Sequence, residues 1–235
     1  RLVVDRRAVG TAEGVVVGAV GRHYRYVANA DLLQAVASHV AGERNRYGMI
    51  KAELKNRDLF VLLGRRAASV TADGVVLRDG TAVYNSETTR RAIFLPNVLF
   101  DSETSSYSHA TESSDNKLVH RKKKKFEQHL DAVVQVAFSA DSILEQARGR
   151  VVEARRAELG NESNRELTLR KISGRLIERK VNAMPVERVI SLLTRGGRIS
   201  QWSLYAALLR AAVDYSSSER RLRMTAYRYL IESRL

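Results

Sequence analysis

The chain has 235 residues, 44% of them hydrophobic, with a formal net charge of +14. That hydrophobic share can bury a core, which excludes a disordered basic tail, and the positive excess points to a phosphate-bearing partner. Cysteine is absent, which excludes a disulfide framework, a thiolate metal site and a cysteine nucleophile, and the longest apolar stretches, such as Leu59 to Leu63, fall far short of the roughly 20 residues a membrane-spanning helix needs.

The first hundred residues read as strands punctuated by glycine turns. Val15 to Val20 is a β-branched run between Gly14 and Gly21, and Tyr24 to Val27 continues in extended chain. A short helix follows: Asn29 or Asp31 can cap it, Leu32, Leu33, Val36 and Val40 share a face, and Gly42 stops it. Strands are then predicted over Met49 to Leu54, Asp58 to Leu63, Ala68 to Thr71, Val75 to Leu77, Thr81 to Tyr84 and Ala92 to Leu95, with turns at Asp73-Gly74 and Asp79-Gly80. The reading is an antiparallel sheet with one helix packed on it.

Residues 101–116 are dominated by Ser, Thr, Glu and Asp and read as a flexible acidic loop. Residues 117–235 form a basic helical region with 25 Lys+Arg against 13 Asp+Glu, a net +12, leaving +2 for residues 1–116. It opens on the run His120-Arg121-Lys122-Lys123-Lys124-Lys125. Read as the first turn of a helix, these cations lie where the helix dipole is already positive, which calls for an anion there. Phe126, Leu130, Val133, Ala137, Ala140, Leu144, Ala147, Val151 and Ala154 then follow at alternating spacings of four and three. That pattern predicts one long helix seeking a partner helix, either in the same chain or in another subunit. After Gly160-Asn161 a second stripe holds Leu169, Ile172, Leu176 and Ala183. Three shorter helices are marked by Pro185, by a Ser200 cap and by Ser216 with Glu219. Trp202 and Tyr205 fall in register with leucines and read as core.

Enzyme chemistry finds no support in the sequence. None of the phosphate-loop, dinucleotide, serine-hydrolase or zinc-protease motifs is present, and the five histidines fall in separate elements, so no catalytic residue, metal site or cofactor is expected. The fold class expected is α+β, with a mainly β region over 1–100, the loop over 101–116 and helices over 117–235.

The stretch from Gly18 to Leu33, then Tyr84-Asn85-Ser86-Glu87, then His120-Arg121, resembles the phage and plasmid proteins grouped as domain of unknown function 932. Leu95-Pro96-Asn97 keeps the family's asparagine without its cysteine, and the Arg-His order before the helix is reversed. A weaker resemblance, of general character only, is to the guide-RNA-associated subunits of the kinetoplastid mitochondrial RNA-editing substrate-binding complex. That second resemblance implies an obligate dimer of similar subunits, one of which holds a guide RNA 5′-triphosphate, and a mitochondrial location.

The expected function is therefore non-catalytic binding of single-stranded nucleic acid, RNA first, with a 5′-phosphate end held by His120 and Arg121 to Lys125. Arg22, Tyr24 and Arg25, with Arg90 and Arg91, are expected to add contacts from the sheet region. Arg165, Arg170, Arg175 and Arg179 are expected to form a track for the strand. The expected partners are the nucleic acid and a like subunit joined through the 126–154 helix, with no membrane, in an intracellular protein. The competing expectations are a phage-type single-stranded DNA-binding or annealing protein and a scaffold subunit docking on an acidic partner.

Overall fold

A computed structural model of the chain describes residues 2–5, 15–19, 24–41, 46–55, 57–72, 75–87, 92–101, 106–110, 116–120, 125–139, 141–181, 183–194, 198–214 and 219–231. The chain begins with β1 (Leu2–Asp5), β2 (Val15–Ala19) and α1 (Asn29–Ala41). Strands β3 (Tyr47–Lys55), β4 (Asp58–Ala72), β5 (Val75–Ser86), β6 (Ile93–Phe94), β7 (Asn97–Asp101), β8 (Tyr107–His109) and β9 (Lys117–Leu118) follow. Then come α2 (Phe126–Phe138), α3 (Asp141–Arg156), β10 (Glu158–Gly160), a single 3-10 turn over Glu162–Asn164, and α4 (Arg165–Glu178). The chain closes with α5 (Ala183–Thr194), β11 (Ile199–Ser200), α6 (Gln201–Asp214) and α7 (Glu219–Ile231). The fold is α+β, as its composition pattern predicts.

The chain divides into two compact units that interleave in sequence. Unit 1 comprises residues 1–67, 80–96 and 113–140, and unit 2 comprises residues 68–79, 97–112 and 141–235. The expected division at 101–116 does not follow these bounds, because β4 and β5 each pass from one unit to the other. Ser106 to Ala110, read as part of a loop, is buried and holds β8.

In unit 1 the strands run in the order β3-β4-β5-β6-β9. β3 pairs antiparallel with β4 from Tyr47↔Arg65 to Lys55↔Asp58, Tyr84 of β5 faces Phe94, and Ile93 faces Leu118. Leu32 and Val36 of α1 and Phe126, Leu130, Val133, Val134, Ala137 and Phe138 of α2 close this core with Val61, Val83, Ile93 and Leu95. Burial of that many large apolar side chains, each worth about 1.5–3 kcal/mol, is what holds the unit.

In unit 2, β7 pairs with β5 and, through Val98↔His109 to Phe100↔Tyr107, with β8. Its core gathers Leu144, Ala147, Val151 and Ala154 of α3, Ile172 and Leu176 of α4, Val189 and Leu193 of α5, Trp202, Tyr205 and Leu208 of α6, and Leu222, Ala226 and Tyr229 of α7. Trp202 and Tyr205 are therefore core residues, as their spacing predicts. Ser200 caps α6: its Oγ accepts from the Ser203 N–H at 3.1 Å while Ser203 Oγ accepts from the Ser200 N–H at 2.9 Å. Ser216 lies outside the described residues.

Two local expectations are corrected. The stretch 126–154 is two helices: α2 ends at Phe138, and Ser139 leaves helical geometry at φ −95°, ψ 8°. Ser and Asp on either side of the junction favour helix ends over interiors. The seam positions described are buried inside the cores of their own units, Phe126, Leu130, Val133 and Ala137 in unit 1 and Leu144, Ala147, Val151 and Ala154 in unit 2. The apolar surface that argued for a second subunit is thus already covered. Asp79-Gly80 is not a turn but the middle of β5, where the fully buried Asp79 carboxylate sits 3.5 Å from Arg148 Nε. The Asp73-Gly74 turn lies outside the described residues.

Candidate nucleic-acid interface

The cationic run does not form the first turn of α2. Lys125 is the residue before the helix, in the left-handed conformation at φ 63°, ψ 36°, with no side-chain cap bond. The first turn carries Glu127, which suits the positive end of the dipole. Lys125 is exposed, and its carbonyl accepts from the His129 N–H at 3.1 Å. Arg121, Lys122, Lys123 and Lys124 lie outside the described residues, as do Arg22, Arg90 and Arg91.

His120 points inward. It is only 6% exposed, its Nδ1 is 3.1 Å from the Arg25 carbonyl, and its ring stacks on Tyr24 with centroids 5.2 Å apart. Its Nε2 is buried with no hydrogen-bond partner among the described residues. Burial pushes the His120 pKa down, against a smaller upward effect of the Arg25 carbonyl, so the neutral ring is favoured. A buried neutral imidazole under a tyrosine is a structural element rather than the phosphate donor its sequence position suggested.

The Tyr24 hydroxyl reaches the Ser86 and Glu87 carbonyls at 3.3 and 3.4 Å. From there the Asn85-Ser86-Glu87 segment holds the start of α1. Glu87 Oε1 accepts the Asn29 N–H at 2.7 Å and Oε2 accepts from Arg57 Nη1 at 2.9 Å. Asn85 Nδ2 donates to Asn29 Oδ1 and to the Val27 carbonyl at 2.8 and 3.2 Å. A carboxylate on the first N–H groups of a helix compensates its dipole and one orphan donor together. Arg57, left-handed at φ 65°, is fastened by this network, since its carbonyl accepts from Asn29 Nδ2 and from the Glu87 N–H. The segments 24–29, 85–87 and 120 thus lie together in space.

The solvent side of this cluster offers Arg25, Tyr26 and Lys125. Arg25 is exposed, donates to Glu127 Oε1 at 2.5 Å, and has its guanidinium 5.7 Å from the Phe126 ring centroid. Tyr26 is 46% exposed; partial burial, followed by the neighbouring Glu87 charge, pushes its hydroxyl pKa up, so it stays a neutral ring with a donor.

The four arginines proposed as a track all belong to α4 and its end in unit 2. They do not share a face: at 100° per residue, Arg170 and Arg175 lie about 140° and 280° around the axis from Arg165. Arg165 closes the end of α5 by donating to the Leu193 and Thr194 carbonyls at 2.9 and 2.8 Å. Arg170 is exposed and paired with Glu166, Arg175 is half-buried, and Arg179 lies over the Tyr229 ring at 5.2 Å. A strand could not follow all four.

The charge divides differently once the chain is folded. Unit 1 holds 20 Lys+Arg against 10 Asp+Glu, a net +10, and unit 2 holds 20 against 16, a net +4. By these bounds residues 121–125 are counted in unit 1, so the positive excess belongs to unit 1 and not to the C-terminal half. Among the described residues no group of three or more His, Asp or Glu side chains is arranged to hold a metal ion. No described helix is long and apolar enough to cross a membrane. Comparison of the chain with family models, with curated proteins and with solved structures gave no match.

Proposed function

We propose that the protein binds single-stranded nucleic acid, RNA in preference to DNA, without chemistry of its own and as a subunit of a larger assembly. The observation that carries this reading is the net +10 of unit 1, including five consecutive cations from Arg121 to Lys125. A field of that size raises the local concentration of polyanions and gives affinity through phosphate contacts and counterion release. The exposed Tyr26 ring and the Arg25 guanidinium supply planar groups on which an unpaired base can stack. The choice of RNA draws on the resemblance to guide-RNA-associated subunits.

Five cations within five residues concentrate more charge than one internal phosphodiester requires, so a 5′-triphosphate end is the preferred occupant. His120 has no direct part in this contact. The test is competition between identical RNAs ending in a 5′-triphosphate or a 5′-hydroxyl, alongside a matched DNA and an acidic polypeptide. Preference for the triphosphate RNA is expected. Equal binding of the acidic polypeptide would replace this reading with a scaffold that docks on an acidic partner.

A further inference from the structure

We propose that β3 is a contact between two copies of this chain, the two strands pairing antiparallel about a two-fold axis at Ala52. Among the described residues β3 pairs with β4 alone and ends the strand order of its sheet. An edge strand of this kind turns alternate N–H and C=O groups away from its neighbour, where another strand can meet them. Every residue from Met49 to Lys55 is exposed. Met49 at 69%, Ile50 at 39% and Leu54 at 67% bring three large apolar side chains to solvent within six residues.

The ladder with β4 decides which side each residue takes, because residues opposite one another share a face. Ala52 stands opposite Val61 and Leu54 opposite Leu59, and both β4 residues are buried in the unit 1 core. Leu54 therefore lies at the rim of that core and stays exposed because the sheet stops there. Lys51 and Glu53 take the other face, opposite Leu62 and Phe60, with Lys51 Nζ 2.6 Å from Glu53 Oε1. Lysine on an edge ordinarily discourages pairing. Here Lys51 is matched by Glu53 in the same strand, so the edge presents an ion pair between apolar residues.

Charge selects the second copy and its register. A two-fold axis through Ala52 sets Lys51 opposite Glu53 of the second copy, and Glu53 opposite its Lys51. It sets Ile50 beside Leu54 of the second copy, again twice. Moving the axis to Lys51 places that lysine opposite itself. Moving it to Glu53 places two glutamates opposite each other and Lys51 opposite Lys55, and like charges directly opposed destabilise a ladder. An axis at Leu54 leaves Met49 and Ile50 beyond the end of the opposing strand, which stops at Lys55. The β3–β4 ladder is irregular between Met49 and Lys51, and the Ala52 register places its charged pairs on the regular part of the edge. One strand per copy falls well short of the roughly 20–30 residues a side of a standard interface, so the dimer is a weak one that dissociates in the micromolar range. The pairing uses no residue of the cationic run and does not rest on nucleic-acid binding.

The test is sedimentation equilibrium of the full chain, freed of nucleic acid, over about 1 to 200 μM, a span set by the weak-dimer range. The native chain is expected to pass from monomer toward dimer. Lys51→Glu and Glu53→Lys each oppose like charges twice and are expected to weaken self-association roughly tenfold or more. An equimolar mixture of the two variants recovers it, since every contact between unlike chains is again Glu with Lys. A role for the Lys51–Glu53 pair confined to one chain gives no such recovery. The register is read by oxidation of Ala52→Cys in a chain that has no other cysteine. Directly opposed residues have Cα atoms about 4.5–5.5 Å apart, within disulfide reach. Lys55→Cys is the control, because its copies lie roughly 20 Å apart along the strands in this register and stay uncrosslinked. A native chain that is monomeric at every concentration overturns the proposal. So does a dimer that survives both charge reversals, or one that crosslinks no faster at position 52 than at 55.

Discussion

Tyr24 stacks on His120 at a centroid distance of 5.2 Å and an interplanar angle of 23°, while the backbone of the next residue closes on the same histidine through Arg25 N–H to the His120 carbonyl at 3.2 Å. The histidine that looked like the first residue of a phosphate site is thus the inner anchor of the segment that carries the exposed Arg25 and Tyr26.

That burial makes stability depend on pH. The His120 pKa is lowered in the folded protein, chiefly by desolvation, and an unfolded histidine titrates near 6.5. Between those two values the unfolded chain binds a proton that the folded one refuses. Its contribution is therefore fully present above about pH 6.5 and is lost as pH falls toward the lowered value. Urea unfolding at pH 7.5 and pH 5.5 is expected to give a larger drop for the native chain than for His120→Gln. Equal drops would show that His120 titrates normally.

Glu87 is expected to matter to folding rather than to ligand affinity. Glu87→Ala removes the acceptor for the Asn29 N–H and leaves Arg57, with its side chain about one-fifth exposed, without this partner. Leaving a largely buried donor unsatisfied costs about 1–3 kcal/mol. Thermal unfolding measures the loss. Oligonucleotide affinity, read well below the midpoint, should remain within about twofold; a large loss at unchanged stability would make Glu87 part of the binding surface.

Gly160 pairs with Ile199 in the β10–β11 ladder. A Cβ there would overlap Thr168 Oγ1 and stand 2.9 Å from Thr168 Cβ. Thr168 is itself buried and donates to the Leu159 carbonyl. Gly160→Ala is therefore expected to destabilise the protein by about 1–3 kcal/mol through overpacking. The double variant Gly160→Ala/Thr168→Ala should recover part of that loss in the same unfolding measurement, and no recovery would place the strain elsewhere.

The pattern of burial was legible where local periodicity and core agree. The seam positions from Phe126 to Ala154 that the structure describes are buried, and the Ser200 cap forms as read. The break at Ser139 was hidden because the seven-residue repeat continues across it. The repeat specifies which side of a helix is apolar, and two helices in two different cores satisfy it as well as one. Asp79-Gly80 was misread because that dipeptide favours turns, whereas in β5 the carboxylate is buried beside Arg148 and tertiary pairing overrides the local preference. Arg198 meets the Arg156 carbonyl at the end of α3 through the β10–β11 ladder, which no local pattern announces. The inward turn of His120 has the same cause, since Tyr24 lies almost a hundred residues away in sequence.

The measurement that bears most directly on the central claim is the salt dependence of single-stranded RNA affinity for the native chain and for a variant with Lys122, Lys123, Lys124 and Lys125 replaced by Ala. If the run contacts phosphates, the slope of log affinity against log salt becomes shallower by about 0.7 for every contact removed. The fold should be unaffected, because α2 begins at Phe126 and the Lys125 side chain makes no cap bond to it. A variant with reduced affinity and a shallower slope is the predicted result. An unchanged slope in a folded variant would contradict the account and remove the run from the interface.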